Sequence, residues 1–207
     1  MRIKSHWFKA GEPKTAEQQA SAMAFIVWRV AHNMLKRMRG ARFDIDAGGP
    51  YFDFMREVLV FLIAVVDRTA YTKMDAETRS IFTTALVIHC ADTLAGNETD
   101  LLGPRTDGAR YQDSFIDLVN ELSPHYAEFG ADPDGATTEE AFTPGFGFVR
   151  YLGVRLEPAL PPHDRRWVID QVMAIEAPEA VDIVRSAILD LLSSKPRVSR
   201  RTSMSGE

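Results

Sequence analysis

The chain has 207 residues, 45% hydrophobic and 26% charged, with a net charge of −5. That is enough apolar material for one buried core, and too ordinary a composition for a collagen-like, low-complexity or wholly disordered chain. The single cysteine, Cys90, excludes an internal disulfide and suits a reducing, cytoplasmic setting. No apolar segment follows the basic N-terminus, so neither a signal peptide nor a membrane span is expected.

Charge is unevenly spread. Residues 1–42 carry nine Lys/Arg against two Asp/Glu, residues 43–145 six against nineteen, and residues 146–207 nine against eight. Either a basic first helix packs beside acidic later ones and partly neutralises them, or one basic surface recruits a polyanion.

In chain order, residues 1–14 read as an N-terminal arm whose Trp7 and Phe8 would dock it on the domain. Thr15-Ala-Glu-Gln18 has the form of a capping box and opens a helix to about Arg39. Met23, Ile26/Val27, Val30, Met34 and Met38 mark its buried face, and Gly40 is the expected C-terminal stop. Pro50 opens a second helix to Tyr71 whose centre, Val58 to Val66, is an unbroken apolar run. A helix with no polar face needs helices around it, so this one is expected at the centre of the domain. Asp75 caps a third helix, predicted to end at Gly96-Asn97, and the short link forces it antiparallel to the second.

Residues 97–108 read as a turn-rich loop. A fourth helix is expected over about 109–122, with Ser123-Pro124 restarting a short helical turn. Residues 130–138 form the clearest break. Asp132-Pro133-Asp134-Gly135 within it resembles part of an EF-hand loop, but the first and twelfth ligand positions would be Gly130 and Ala141, which fail. Helical pattern begins near Thr138, breaks at Thr143-Pro144-Gly145 and resumes over 146–156. Leu160-Pro161-Pro162 makes a stiff corner. A short helix around Trp167 to Ile175 follows, and Ala177-Pro178 separates it from a last helix over about 179–192. Residues 194–207 are basic, Ser-rich and without an apolar face, and read as a disordered tail. The expected fold is an all-α single domain over residues 15–193, a bundle of six or seven helices around the 50–71 and 76–95 hairpin, with essentially no sheet.

Candidate chemistry comes from helix register. Taking the second and third helices as a hairpin puts Glu57 level with Cys90, and the first and second puts His32 level with Val58. His32, Glu57, His89 and Asp92 then share one layer, and His89 and Asp92 share a helix face. Two imidazoles and two carboxylates in a bundle suit a divalent transition metal such as Zn, Fe or Mn, or an acid/base pair in a small-molecule pocket. The alternative pairs Glu57 with Arg29 or Arg56 and leaves both histidines satisfied in or near the core. Asp53, Glu57, Val60, Ala64, Asp67 and Tyr71 form the one polar line on the central helix, facing either solvent or a polar cleft. Cys90 reads as a buried structural thiol.

Gly-x-Ser-x-Gly, P-loop, dinucleotide, HExxH and paired ExxH patterns are absent. The acidic middle repels phosphate, so nucleic acid is not the expected partner of Lys36, Arg37, Arg39 and Arg42 or of the basic tail. The expected function is a binding or regulatory module for a protein partner or small ligand, acting as a homodimer. The alternative is a small helical metal-binding protein or enzyme built on His32, Glu57, His89 and Asp92.

Overall fold

Helix α1, Ala16–Gly40, starts at the expected capping box. The Thr15 hydroxyl accepts the Gln18 amide at 3.3 Å and the Gln18 side chain accepts the Thr15 amide at 3.2 Å. Two of the helix's orphan donors are thereby satisfied, an arrangement that contributes about 1 kcal/mol. The left-handed residue after α1 is Arg42 (φ 72°), two positions beyond the expected glycine stop. In the following connection, Arg39 donates twice to the Ile45 carbonyl, at 3.0 and 2.6 Å. Phe43 and Ile45 are buried there.

This computed structural model describes residues 14–129 and 142–193. The arm with Trp7 and Phe8, the 130–138 break, the helix start near Thr138 and the tail lie outside them. Among the described residues there is no strand. No helix of these residues is long and apolar enough to cross a membrane.

Helix α2, Gly49–Tyr71, is the centre of an all-α bundle. It packs against α1, α3 (Ala76–Leu102), α4 (Tyr111–Glu128), α5 (Phe146–Leu156) and α7 (Ala177–Leu192). Every residue from Val58 to Ile63 is at most 3% exposed, so the helix is enclosed on all sides over more than a turn. Phe61 meets Tyr126 and Phe148 in tilted and edge-on ring contacts, tying α2 to α4 and α5.

Three element boundaries differ from the expectation. Helix α3 runs through Gly96-Asn97 to Leu102 and stops at Gly103, whose φ of 80° suits glycine. A glycine inside a helix costs about 1 kcal/mol relative to alanine. Around Gly96, Thr93, Asn97 and Thr99 donate to carbonyls one turn back, and Leu94 and Glu98 are fully buried. Tertiary anchoring outweighs the local penalty. Helix α4 is likewise unbroken across Ser123-Pro124. The Ser123 hydroxyl donates to the Val119 carbonyl at 2.6 Å, and Leu122 and Tyr126 are buried on either side of the proline.

The third difference is at Pro178. Helix α6, Pro162–Gln171, passes through a π turn, Val172–Glu176, directly into α7. The Ala177 amide donates to the Val172 carbonyl, five residues back. Pro178 has no amide to continue the α pattern, and its ring would crowd the carbonyl four residues back. The wider turn accommodates it without ending the helix. The rod reaches α1 through Arg37, which binds Glu176 at 2.8 Å and Glu179 at 2.7 Å. Here one cation of the basic first helix is neutralised by acidic residues, which lie in the π turn and the last helix rather than in the acidic middle of the chain.

Candidate functional site

The polar line on α2 faces clefts between helices. Its N-terminal part, Asp53 and Glu57, lines a cleft of about 690 Å³ with Arg105, Ser114 and Leu118 on the α4 side and Val154 and Arg155 of α5. Arg56, Glu157, Pro158 and Ala159 complete the lining. Its C-terminal part, Ala64, Asp67 and Tyr71, lines a second cleft of about 560 Å³ between α2, α3 and α4. Val60, between them, is buried. One helical line therefore opens into two clefts with an apolar seal in the middle.

Glu57 is held by Arg155, not by either arginine expected from the sequence. Arg155 Nε donates to Oε2 at 3.0 Å and Nη2 to Oε1 at 2.5 Å, a two-pronged pair. Glu57 is 9% exposed. Burial pushes its carboxyl above the ordinary carboxylate range, and the hydrogen bond and charge of Arg155 only partly offset that rise. Arg155 in turn is stabilised in its charged form chiefly by its hydrogen bond to Glu57.

Arg56 points elsewhere. It donates to Asp53 at 2.7 Å and to Glu98, which reaches in from α3 and is fully buried. Burial raises the Glu98 carboxyl as well, against the opposing pull of Arg56. Arg105 closes the row. It binds Asp107 and donates to Ser114 at 3.2 Å, and its hydrogen bond holds the Asp107 carboxyl far below its ordinary range. Three guanidinium groups thus line one cleft, each fixed by a carboxylate.

Some polar atoms in this layer are left over. Arg56 Nε, Glu98 Oε2 and the Tyr126 hydroxyl are buried and have no hydrogen-bond partner among the described residues. Tyr126 lies within the field of Glu57 and Arg155, and burial raises its hydroxyl well above the usual range. Such groups cost free energy in a dry interior and keep a local surplus of bonding capacity.

The four candidate metal ligands do not converge. His89 and Asp92 line a groove of about 570 Å³ between α1 and α3, with Ser21, Ala24, Phe25 and Trp28. Asp92 is exposed and accepts from Gln112 of α4. His32, one turn past Trp28, is exposed and outside that groove. Glu57 faces the cleft with Arg155. Among the described residues no group of three or more His, Cys, Asp or Glu side chains is placed to hold a metal ion. Register arithmetic gives a residue's level along an axis, but not the side of the helix on which it points.

Cys90 is buried, and desolvation pushes its thiol up to about 12, which makes it inert as a nucleophile. The residue most conspicuously missed by sequence reasoning is Arg155. It sits at a helical position with ordinary surface spacing, and its partner is 98 residues away. Its only local signal was a cation in the last turn of α5. No protein-family model matches the chain, and no curated protein or solved structure matches it.

Proposed function

We propose that the chain is a binding module whose ligand is a small molecule carrying both signs of charge, held in the α2–α4–α5 cleft. The observation that supports this reading is the balance of the lining. Arg56, Arg105 and Arg155 are matched in number by Asp53, Glu57 and Glu157, and Leu118, Val154, Pro158 and Ala159 add apolar lining. A purely anionic or cationic ligand meets as much repulsion as attraction there. A zwitterion with an apolar part can address both signs and the apolar lining. The guanidinium groups are already oriented by their carboxylates, so a ligand carboxylate need not order them on binding.

The test is thermal unfolding of the wild type and of Arg105→Ala in the presence of zwitterionic amino acids with apolar side chains, simple dicarboxylates and diamines. Arg105 is paired with exposed Asp107, so its loss leaves no buried charge behind. The reading expects one or more zwitterions to raise the wild-type midpoint by several degrees, with the rise lost in Arg105→Ala. A panel without any shift, or a shift unchanged in Arg105→Ala, contradicts it.

A further inference from the structure

The outer face of α3 carries too little charge for the surface it occupies, and two isoleucines are exposed on it. From Ser80 to Gly96 the only Asp, Glu, Lys or Arg is Asp92. Yet Ser80, Ile81, Thr84, Ile88, Asp92 and Gly96 are all exposed, Ile81 by 43% and Ile88 by 42%. Ser80, Thr84, Ile88, Asp92 and Gly96 follow at steps of four and form a single ridge. Solvated helix faces are built from interspersed charges, and this one has almost none. On one flank lie the half-buried Phe25 and Trp28 of α1, across the groove that holds His89.

We infer that this face binds a second copy of the same chain, with the two α3 helices antiparallel about a twofold axis at Ile88. The argument rests on self-complementarity, which a twofold interface requires. With the axis at Ile88, each Ile81 falls opposite the partner copy's alanine at position 95, large against small. Each Ser80 falls opposite a glycine, so the two backbones can approach. Each Thr84 falls opposite an aspartate, to which its hydroxyl can donate. The one charge of the stretch, which already accepts from Gln112 of its own chain, is thereby given a second donor. No like charges oppose each other along the stretch.

The area reaches the lower bound for such a contact. The charge-poor stretch from Ser80 to Gly96 is about 26 Å long at 1.5 Å per residue. With α1 beside it the face is about 20 Å wide, or roughly 500 Å² per copy and about 1,000 Å² in all, the minimum for a specific protein–protein contact.

Sedimentation velocity over a range of concentrations tests this inference. The wild type is expected to sediment with twice the mass of the single chain. Ile88→Lys is expected to sediment as the single chain, with an unchanged helical circular dichroism spectrum because the side chain is surface-exposed. Ile183→Lys, an equally exposed isoleucine on α7, is expected to retain the doubled mass. Register is read by oxidising single-cysteine replacements. Ile88→Cys lies on the axis and cross-links two copies, whereas Ile81→Cys places its thiols about 20 Å apart and does not. A single-chain mass for the wild type at every concentration overturns the inference. So does a doubled mass that survives Ile88→Lys, or equal cross-linking of both cysteine variants.

Discussion

Helices α2 and α3 lie side by side and have similar lengths, but they use apolar residues differently. Of the 23 residues of α2, fourteen are buried, and its apolar centre is enclosed by five other helices. Of the 27 residues of α3, six are buried, although its middle is nearly as free of charge. In α2 the composition is fully explained by the fold of one chain. In α3 it is not, because exposed residues with almost no charge among them follow one continuous ridge. Similar lack of charge thus goes with burial in one helix and exposure in the other, and on the proposed dimer the mismatch between composition and burial marks what the single chain leaves uncovered.

Buried charge on both helices is paired with a neighbouring helix, Glu57 of α2 with Arg155 of α5 and Glu98 of α3 with Arg56 of α2. The largest expected effect comes from breaking the second pair. Arg56→Ala leaves Glu98 buried without its partner and is expected to cost about 3 kcal/mol in urea unfolding. A loss below about 1 kcal/mol would mean that Glu98 is relieved by water or a proton, and that the pair is not structural.

Close backbone approach predicts the next effect. A methyl added at Gly153 would meet the Ile169 backbone at 3.0 Å, where α5 crosses α6. Gly153→Ala is expected to destabilise by about 1–3 kcal/mol, because neither backbone can yield alone. A methyl at Gly147 meets the Phe129 ring at 2.9 Å, but that ring is 42% exposed and can swing outward. Gly147→Ala is therefore expected to cost less than about 1 kcal/mol. Equal costs at the two glycines would contradict this account of the α5–α6 contact.

A smaller effect concerns pH. The Glu57 carboxyl titrates higher in the folded chain than its ordinary 4.5, chiefly through burial. Above that value the folded state therefore holds a proton that the unfolded state has released. Its contribution to stability is fully present below pH 4.5 and is lost as pH rises through the folded value. Glu57→Gln removes this titration. The stability of the wild type relative to Glu57→Gln is expected to decline as pH rises from about 4.5 toward neutrality. A difference that grows over the same range would show that Arg155 dominates over burial. The mildest change is Tyr126→Phe, which deletes a buried hydroxyl without a partner among the described residues. It is expected to leave stability unchanged or raise it by about 1 kcal/mol.

Much of the fold was legible in local pattern. The Thr15 capping box, the Asp75 cap and the apolar run of α2 each follow from short-range physics and stand as expected. The differences share one cause. Gly96, Pro124 and Pro178 have the local chemistry of helix stops, but contacts from other helices carry the chain through each of them. The site was less legible still. Glu57 was identifiable as the odd residue at the edge of an apolar helix. Its direction toward α5, and the arginine waiting there, depend on how helices distant in sequence are rotated against one another. A single sequence does not encode that rotation in any local period.

The comparison between α2 and α3 turns on whether the ridge at Ile88 is covered in solution. The most direct measurement is the alkylation rate of an Ile88→Cys variant by iodoacetamide under reducing conditions, followed from low to high protein concentration. The native thiol does not interfere, because Cys90 is buried and pushed up to about 12. The rate is expected to fall by roughly tenfold as two copies associate, while an Ile183→Cys control stays constant. A rate at position 88 that is the same at every concentration and equal to that of the control would contradict the account.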